Sequence, residues 1–355
     1  MKRIIIALMC ILAVLLVACR NDVALTESQE PMTSTGIDPP EPMTSPGIEP
    51  PPIKTIYYIT VAMGSAYWNI SQAGAIDAGK DFGVNVIVTG IPDEQRIDDQ
   101  IMLLQNAVLA KADAIVLRPT HSYALADEVS KTYLAGIPIV ITDVSIHTED
   151  YTAIVKTDNY AAGETAAKEL IRLLKEEKNF PETQSGTIAV QIGTSGSQTI
   201  IDRNAGFKAY WDSNAPEAWV VMWDKMQVND GNIEKAVDIA KNVLTSEPEL
   251  IAMYAPNNGS TVGCVWALME MDRTDIAMLG FDFSDDINVM IREGNFTVST
   301  LLHNQYSWGY ESVRLAVEAA NGVLASEKII DTGVTVVTID NIDSPDVRKE
   351  AYGGR

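Results

Sequence analysis

The sequence predicts an α/β protein made of two doubly wound parallel-sheet lobes, and three observations lead to this fold class. The chain has 355 residues, more than one ordinary domain holds. From residue 55 onward, short apolar runs alternate with helical patterns, which indicates parallel strands joined by helices. Runs such as 137–142 and 276–281 lack polar alternation, as strands covered on both faces do. The alternation then repeats beyond Asp158 and Asn159, where we place the boundary between the lobes.

The first 18 residues predict a signal peptide. Met1-Lys2-Arg3 is basic, and the apolar run Ile4–Val17 has 14 residues, too few to span a membrane comfortably. Leu16-Val17-Ala18-Cys19 resembles a bacterial lipobox, in which Cys19 becomes the lipidated first residue of the mature protein. An ordinary signal peptide with an incidental cysteine is the alternative.

Residues 19–54 predict an extended tether. The segment 30–40, EPMTSTGIDPP, is followed directly by EPMTSPGIEPP, and eight of the 16 prolines lie between Pro31 and Pro52. Such a composition cannot bury a core and favours a solvated stalk. A proline-rich ligand for a partner domain is a second interpretation.

The strands and helices follow in order from residue 55. The first lobe is predicted from the ranges 56–61, 67–82, 84–88, 93–109, 114–117, 123–134, 137–142 and 153–157. The second is predicted from 164–175, 187–192, 199–211, 219–223, 233–244, 250–254, 260–271, 276–281, 287–293 and 296–302, after which come a helix at 306–320 and a segment at 328–339.

Composition and motifs exclude several classes of function. The net charge of −22 argues against nucleic acid, whose binding needs Lys and Arg. Cys264 is the one cysteine of the globular part, where it suits a buried helix position and leaves no disulfide framework. The histidines lack metal-site spacing, and no GxSxG or HExxH motif occurs. Gly74–Lys80 has the spacing of a phosphate loop but lies within a predicted helix. We therefore expect no metal, no cofactor and no enzymatic activity.

Polar residues follow the predicted strand ends, where ligands bind in open α/β sheets. A single Asp at such a place is often only a helix N-cap, but residues from two lobes would face one cleft. Asp158 and Asn159 are expected to cap the next helix and form the hinge. The sites are Ser65 with Tyr67 and Trp68, Thr120 with His121, Asp143, Asp158 with Asn159, Thr194, Asn257 with Asn258, Asp282 and His303.

The chain from residue 55 to about 339 resembles the type I periplasmic solute-binding proteins of the ribose-binding kind. This resemblance implies three crossovers, near Asp158, near His303 and between Lys328 and Gly333. It divides the chain into an N-terminal lobe, 55–158 plus 304–328, and a C-terminal lobe, 159–303 plus 329–345. It rests on Tyr67-Trp68 with Gly74-Ala75, Asp113–Ile115 with Arg118–Thr120, Gly136–Val140 with Asp143, Thr157–Asn159 with Gly163, Arg203 with Gly206-Phe207, Ala255–Asn258 and Gly280–Asp282.

The resemblance also implies roles for single residues. Tyr67 and Trp68 match the paired aromatics that sandwich a sugar ring, although a first-turn core contact is the alternative for both. The matches to polar ligand contacts are Asp143, Asn257, Asp282 and, in place of a glutamine, His303.

Two departures from the family pattern concern arginines. Val144 and Ile201 stand where sugar binders carry arginines, and Arg203 is expected to pack structurally. We therefore expect a cleft without arginines and a neutral or cationic ligand, smaller or less hydroxyl-rich than a hexose.

The function implied is that of a lipid-anchored, extracytoplasmic binding protein. It would capture a small polar solute, a sugar or a sugar-like molecule, for the permease of an ABC importer. We expect a monomer, held at the membrane by its lipid anchor, that faces the periplasm or the cell exterior. The alternative is a sensor whose closed state acts on a membrane histidine kinase.

Overall fold

The computed structural model describes residues 54–354, which belong to the compact unit Pro52–Arg355. The predicted signal peptide, Cys19 and the tether up to residue 53 lie outside the described residues. None of the helices between residues 54 and 354 is both long enough and apolar enough to cross a membrane.

The first lobe is built on a six-stranded parallel sheet. Its strands are β1 (Thr55–Thr60), β2 (Asn85–Gly90), β3 (Ala114–Leu117), β4 (Ile139–Thr142), β5 (Ala153–Lys156) and β12 (Ile329–Asp331). Their spatial order is β12-β5-β4-β3-β1-β2. The helices that pack on this sheet are α1 (Ala66–Asp81), α2 (Ile97–Leu109), α3 (Ala126–Leu134) and α9 (Gln305–Ala320).

The second lobe repeats this design on a seven-stranded sheet. Its strands are β6 (Gly186–Ile192), β7 (Trp219–Val221), β8 (Gln227–Val228), β9 (Leu250–Tyr254), β10 (Ala277–Phe281), β11 (Val298–His303) and β13 (Val334–Val337). The order is β13-β11-β10-β9-β6-β7, with β8 beside β6 and only the edge strand β13 antiparallel. The helices are α4 (Asn159–Arg172, extended by a π turn Leu173–Glu177), α5 (Gln198–Asn214), α6 (Ile233–Ser246), α7 (Asn258–Glu270) and α8 (Asp285–Glu293).

The chain crosses between the lobes three times. The crossings follow β5, β11 and β12, and this arrangement confirms the doubly wound two-lobe fold. Strand β12 pairs in parallel with β5, so the first lobe extends to Asp331, whereas the sequence analysis ended it at residue 328. Gly333, with φ of 67°, then turns the chain into β13.

Each sheet is covered on both faces, which explains the nearly continuous apolar runs. In the first lobe, Ile56 and Val116 pack under α1 and α9, while Ile59 and Leu117 face α2 and α3. The second sheet likewise carries one hydrophobic cluster on each face. Cys264 belongs to one of these clusters, as predicted, and burial raises the pKa of its thiol to about 12.

Two helix pairs touch backbone to backbone near the crossings. In α4 and α5, a Cβ on Gly163 would lie 2.0 Å from the carbonyl oxygen of Arg203, and a Cβ on Gly206 would lie 1.9 Å from that of Tyr160. In α1 and α9, Gly74 meets the carbonyl of Tyr306 in the same way, at 2.0 Å. Only glycine permits such an approach, so these residues fix how closely the helices cross.

A C-terminal helix, α10 (Pro345–Tyr352), was not predicted from the sequence. Val347 is buried in a hydrophobic cluster of the second lobe. The Glu350 carboxylate instead accepts hydrogen bonds from the backbone N–H groups of Tyr306 (2.9 Å) and Ser307 (3.3 Å), at the start of α9. Helix α10 therefore contacts both lobes.

We predict that Gly206→Ala destabilises the fold, because the new methyl group overlaps the Tyr160 carbonyl oxygen. Overpacking of this kind costs about 1–3 kcal/mol or more. Urea denaturation measures the change. Gly196→Ala is the matched control, since its Cβ meets nothing within 4 Å. Equal stability of the two variants would contradict the role of the glycine contact.

Candidate ligand-binding cleft

A cavity of about 740 Å³ lies between the lobes, at the carboxyl ends of the strands. Its walls include Tyr67, Trp68 and Asp143 from the first lobe and Arg203 and His303 from the second. A different cavity, of about 590 Å³, is lined by residues such as Tyr133 and Lys328 and contains none of the predicted strand-end residues. We therefore take the interlobe cavity as the candidate site.

The first lobe contributes an arginine paired with an aspartate. Arg118 Nε donates to Asp143 Oδ2 at 3.0 Å, and the guanidinium lies 4.5 Å from the centre of the Trp68 ring. Asp143 has φ of 66°, a left-handed conformation that Asp tolerates better than most residues. Burial raises the pKa of this carboxyl, and Arg118 opposes the rise.

The second lobe contributes an equivalent arginine. Arg203 Nε donates to Asn159 Oδ1 at 3.1 Å, Nη1 donates to the Pro256 carbonyl at 2.6 Å, and Nη2 contacts His303 Nε2. The guanidinium lies 4.3 Å from the centre of the Phe281 ring. Burial lowers the pKa of Arg203, and the Asp282 carboxylate is the first of the groups that oppose this.

His303 is neutral at physiological pH. Burial lowers its pKa well below the ordinary value, and the charge of Arg203 adds to the effect. Because a guanidinium only donates, Nε2 must accept, and the proton stays on Nδ1, 3.1 Å from Thr157 Oγ1. The 3.8 Å between Nε2 and Asp282 Oδ1 is therefore not an ion pair.

Tyr67 stands among the charged groups of both lobes. Burial raises the pKa of its hydroxyl well above the ordinary value, and the Asp282 and Asp143 carboxylates raise it further. Arg203 and Arg118 oppose this rise. The side chain as a whole is 42% exposed, so the polar surroundings act on the hydroxyl while part of the ring meets solvent. The phenol stays protonated and can donate a hydrogen bond.

The structure brings together part of the predicted site. Tyr67, Trp68, Asp143 and His303 line the cavity. Asp282 is not among the residues that line the cavity: its Oδ1 lies 3.8 Å from His303 Nε2, and its Oδ2 accepts a hydrogen bond from the Asn258 backbone at 3.1 Å.

Asp158 and Asn159 follow β5 at the first crossing between the lobes, and both line the cavity. Asp158 caps α4 as predicted, with its carboxylate accepting from the backbone of Tyr160 and Ala161, both at 3.0 Å. Asn159 meets Arg203.

Besides Asp282, three of the residues predicted to bind the ligand do not line the cavity. Ser65 occupies the N-cap position of α1. His121 is exposed, and its Nδ1 accepts hydrogen bonds from the backbone N–H groups of the two residues at 123 and 124. Asn257 Oδ1 accepts from Gly193 N at 2.9 Å and from Ser260 Oγ at 2.7 Å. The local backbone thus engages the last two side chains.

The expectation of a cleft without arginines is wrong, because Arg118 and Arg203 both line the cavity. They are 8% and 5% exposed. Ile201, which helped to suggest the absence, is 45% exposed and does not line the cavity, whereas Val144 does. Arg118 directly follows strand β3, and its position at a strand end was the signal that the sequence analysis passed over.

The described residues offer no metal site. Between residues 54 and 354, no three His, Cys, Asp or Glu side chains come together in a way that could hold an ion. The cavity wall itself carries hydrogen-bonding groups, paired charges and aromatic rings.

Comparisons with known proteins agree with this geometry. A family model described as a periplasmic binding protein domain matches residues 56–323. The ribose import binding protein of Bacillus subtilis is 23% identical over 87% of this chain and 94% of its own. The D-allose-binding periplasmic protein of Escherichia coli is 25% identical over 72% of this chain and 81% of its own.

Solved structures give the same result. A solute-binding protein of an ABC transporter from Agrobacterium vitis, with bound D-fucose, is 29% identical, with a TM-score of 0.64 over 84% of this chain and 100% of its own. A carbohydrate transporter solute-binding protein from Agrobacterium radiobacter, in complex with D-arabinose, is 27% identical, with a TM-score of 0.66 over 84% and 99%. The chain therefore belongs to the periplasmic binding protein family, as a type I solute-binding protein of the ribose-binding kind.

Proposed function

We propose that this protein captures a neutral sugar or sugar-like molecule between its lobes and delivers it to the permease of an ABC importer. The observation that carries the proposal is the pair of buried arginines, one from each lobe, each accompanied by an aspartate. Sugar hydroxyls both donate and accept hydrogen bonds, so they suit carboxylates and guanidiniums placed side by side.

The charge of the cleft favours a neutral ligand. The charge of Arg118 is balanced by Asp143, 3.0 Å away, and the charge of Arg203 is balanced by the nearby carboxylate of Asp282. An enclosed anion needs positive charge that is not already neutralised. The three cations on the cavity wall, Arg118, Arg203 and Lys156, are outnumbered by four aspartates there, namely Asp143, Asp158, Asp202 and Asp331. The restriction to ligands smaller than a hexose rested partly on Ile201, which lies outside the cavity wall, and we do not retain it.

Relatives support the ligand class. The two solved relatives at 27% and 29% identity hold D-arabinose and D-fucose, which are neutral sugars. We propose the permease of an ABC importer as the partner because these relatives are solute-binding proteins of transporters. Permease and ATPase genes beside this gene would support an importer, whereas a histidine kinase gene would support the sensor.

A thermal-shift panel tests the ligand class, with binding constants then measured by calorimetry. It contains D-ribose, D-allose, D-arabinose and D-fucose, together with polyols, nucleosides, amines and sugar phosphates. A ligand at 100 times its Kd stabilises the fold by about 2.7 kcal/mol, so we expect a clear and selective shift with a neutral sugar. A selective shift with a sugar phosphate, or none with any sugar, would overturn the proposal.

We predict that Asp282→Ala weakens sugar binding about 10- to 100-fold, because its carboxylate balances the charge of Arg203, which lines the cavity, and hydrogen bonds to such a charged group contribute about 1.5–3 kcal/mol. Calorimetry and melting on the same variant separate a binding role from a capping role. Asn232→Ala is the control, since Asn232 caps α6 by accepting from Lys235 N and does not line the interlobe cavity. It should lower stability alone. An unchanged affinity in Asp282→Ala would show that Asp282 only caps.

We propose further that the protein is an extracytoplasmic lipoprotein held by Cys19. The support is the run Leu16-Val17-Ala18-Cys19, followed by the proline-rich tether. This arrangement would keep the binding unit at the membrane while it samples the surrounding solution.

Replacement of Cys19 tests the anchor. We expect Cys19→Ala to release the protein from the membrane or to block its processing, because the thiol that carries the lipid is gone. Membrane fractionation and mass spectrometry of the mature N-terminus give the readout. Normal cleavage with unchanged membrane association would rule out lipidation at this residue.

A further inference from the structure

The two aromatic residues of the first lobe are not arranged as two parallel walls. The Tyr67 and Trp68 rings have centroids 4.9 Å apart and planes 86° apart. A sugar ring held between two aromatics needs two roughly parallel faces. The sandwich that the family resemblance implied is therefore not formed by these two residues.

One face of Trp68 is already covered. The Arg118 guanidinium lies 4.5 Å from the ring centre, within the range of a cation–π contact. It is also tied to Asp143 through Nε and approaches the exposed Glu94 carboxylate through Nη1, at 3.5 Å. On this face the guanidinium occupies the place where a ligand could otherwise stack on the indole ring.

Buried contacts fix the position of Arg118. Its backbone N–H donates to the Ile59 carbonyl at 2.9 Å. Its own carbonyl accepts from Gln100 Nε2 at 2.8 Å, and Gln100 is fully buried. Strands β3 and β4 pair in register, so Arg118 and Asp143 emerge from neighbouring strand ends.

Both members of the pair keep hydrogen-bonding capacity for a ligand. Within residues 54–354, Arg118 Nη2 and Asp143 Oδ1 form no hydrogen bond. A guanidinium has five N–H donors, and a carboxylate has two accepting oxygens. A donor and an acceptor side by side match two adjacent hydroxyl groups, one that accepts from Arg118 and one that donates to Asp143.

We propose that Arg118 is a specificity-determining residue of this cleft. Together with Asp143, it selects ligands that carry two adjacent hydroxyl groups, and it takes the place of stacking on Trp68. The inference rests on the proposed function, since it concerns the same sugar site. It assigns to the end of β3 a role that the family pattern gives to an arginine at position 144, which is valine here.

The test compares each sugar of the panel that binds the native protein with its monodeoxy analogues. D-Ribose and D-arabinose share one such analogue, 2-deoxy-D-ribose. We expect removal of either hydroxyl of the recognised pair to weaken binding to the native protein about 10- to 100-fold. In Arg118→Met this penalty should fall below about 5-fold, while the native sugar itself binds more weakly.

A second variant of Arg118 is needed in case Arg118→Met does not fold. Arg118→Lys keeps a positive charge beside Asp143 but lacks the planar fork of donors, so the deoxy penalty should also shrink. Glu94→Gln is the matched control, since Glu94 touches Arg118 from the exposed side, and its penalty should equal that of the native protein.

The outcomes separate the two proposals. If sugars bind and the deoxy penalty is unchanged in both Arg118 variants, the role of Arg118 is overturned and the proposed function stands. The same holds if no single hydroxyl matters to the native protein. If no neutral sugar binds the native protein, the proposed function and this inference fall together.

Discussion

The cleft depends on the contact between the backbones of α4 and α5. Gly163 and Gly206 let each helix press against a carbonyl of the other. Arg203 lies on α5 at this contact, so its own backbone is held against α4 while its side chain bonds Asn159 at the start of α4. From there the guanidinium reaches His303 at the end of β11. Any wider crossing would pull the arginine away from these partners.

The first lobe uses the same device. Gly74 of α1 meets the backbone of α9, and a Cβ on Gly309 of α9 would lie 1.8 Å from the Ser71 carbonyl oxygen. The start of α1 carries Tyr67 and Trp68, so this crossing fixes where the aromatic side chains enter the cavity. In both lobes, the position of the cleft side chains therefore depends on two helices whose backbones touch, α4 with α5 and α1 with α9.

Burying two arginines and two aspartates is costly in itself. Desolvation raises the pKa values of Asp143 and Asp282, and it lowers that of Arg203, because each charged form loses water. A buried pair of this kind is poor evidence for stability, since well-packed apolar groups often serve the fold as well. The buried charges are better explained by ligand recognition. On each side of the cavity an arginine packs on an aromatic ring, Arg118 on Trp68 and Arg203 on Phe281, and such charged groups can bond hydroxyl groups.

Much of the fold was predictable from the sequence, because buried parallel strands must be apolar and must alternate with helices. Three short elements were not predicted as such: strand β8, strand β12 and helix α10. Each is defined by what it pairs or packs with, and none has a long periodic pattern. The sequence analysis therefore left 328–339 as one segment, which the structure divides at Gly333 into β12 of the first lobe and β13 of the second.

The site was less predictable than the fold. The position of a residue after a strand is visible in the sequence, but the direction of its side chain is not. Asn257 and His121 satisfy nearby backbone groups, as short polar side chains at turns often do. Arg118 was missed because only the pairing of β3 with β4 places it beside Asp143. Opposite charges at neighbouring strand ends are the pattern that could have revealed it.

Helix α10 adds a constraint on how the lobes can move. Three covalent crossings join the lobes, and α10 makes a further, non-covalent link. Val347 holds it in the second lobe, while Glu350 caps α9, which begins directly after the crossing that leaves β11. This cap lies beside a crossing, so α10 joins the second lobe to the start of α9 close to where the chain itself passes between the lobes.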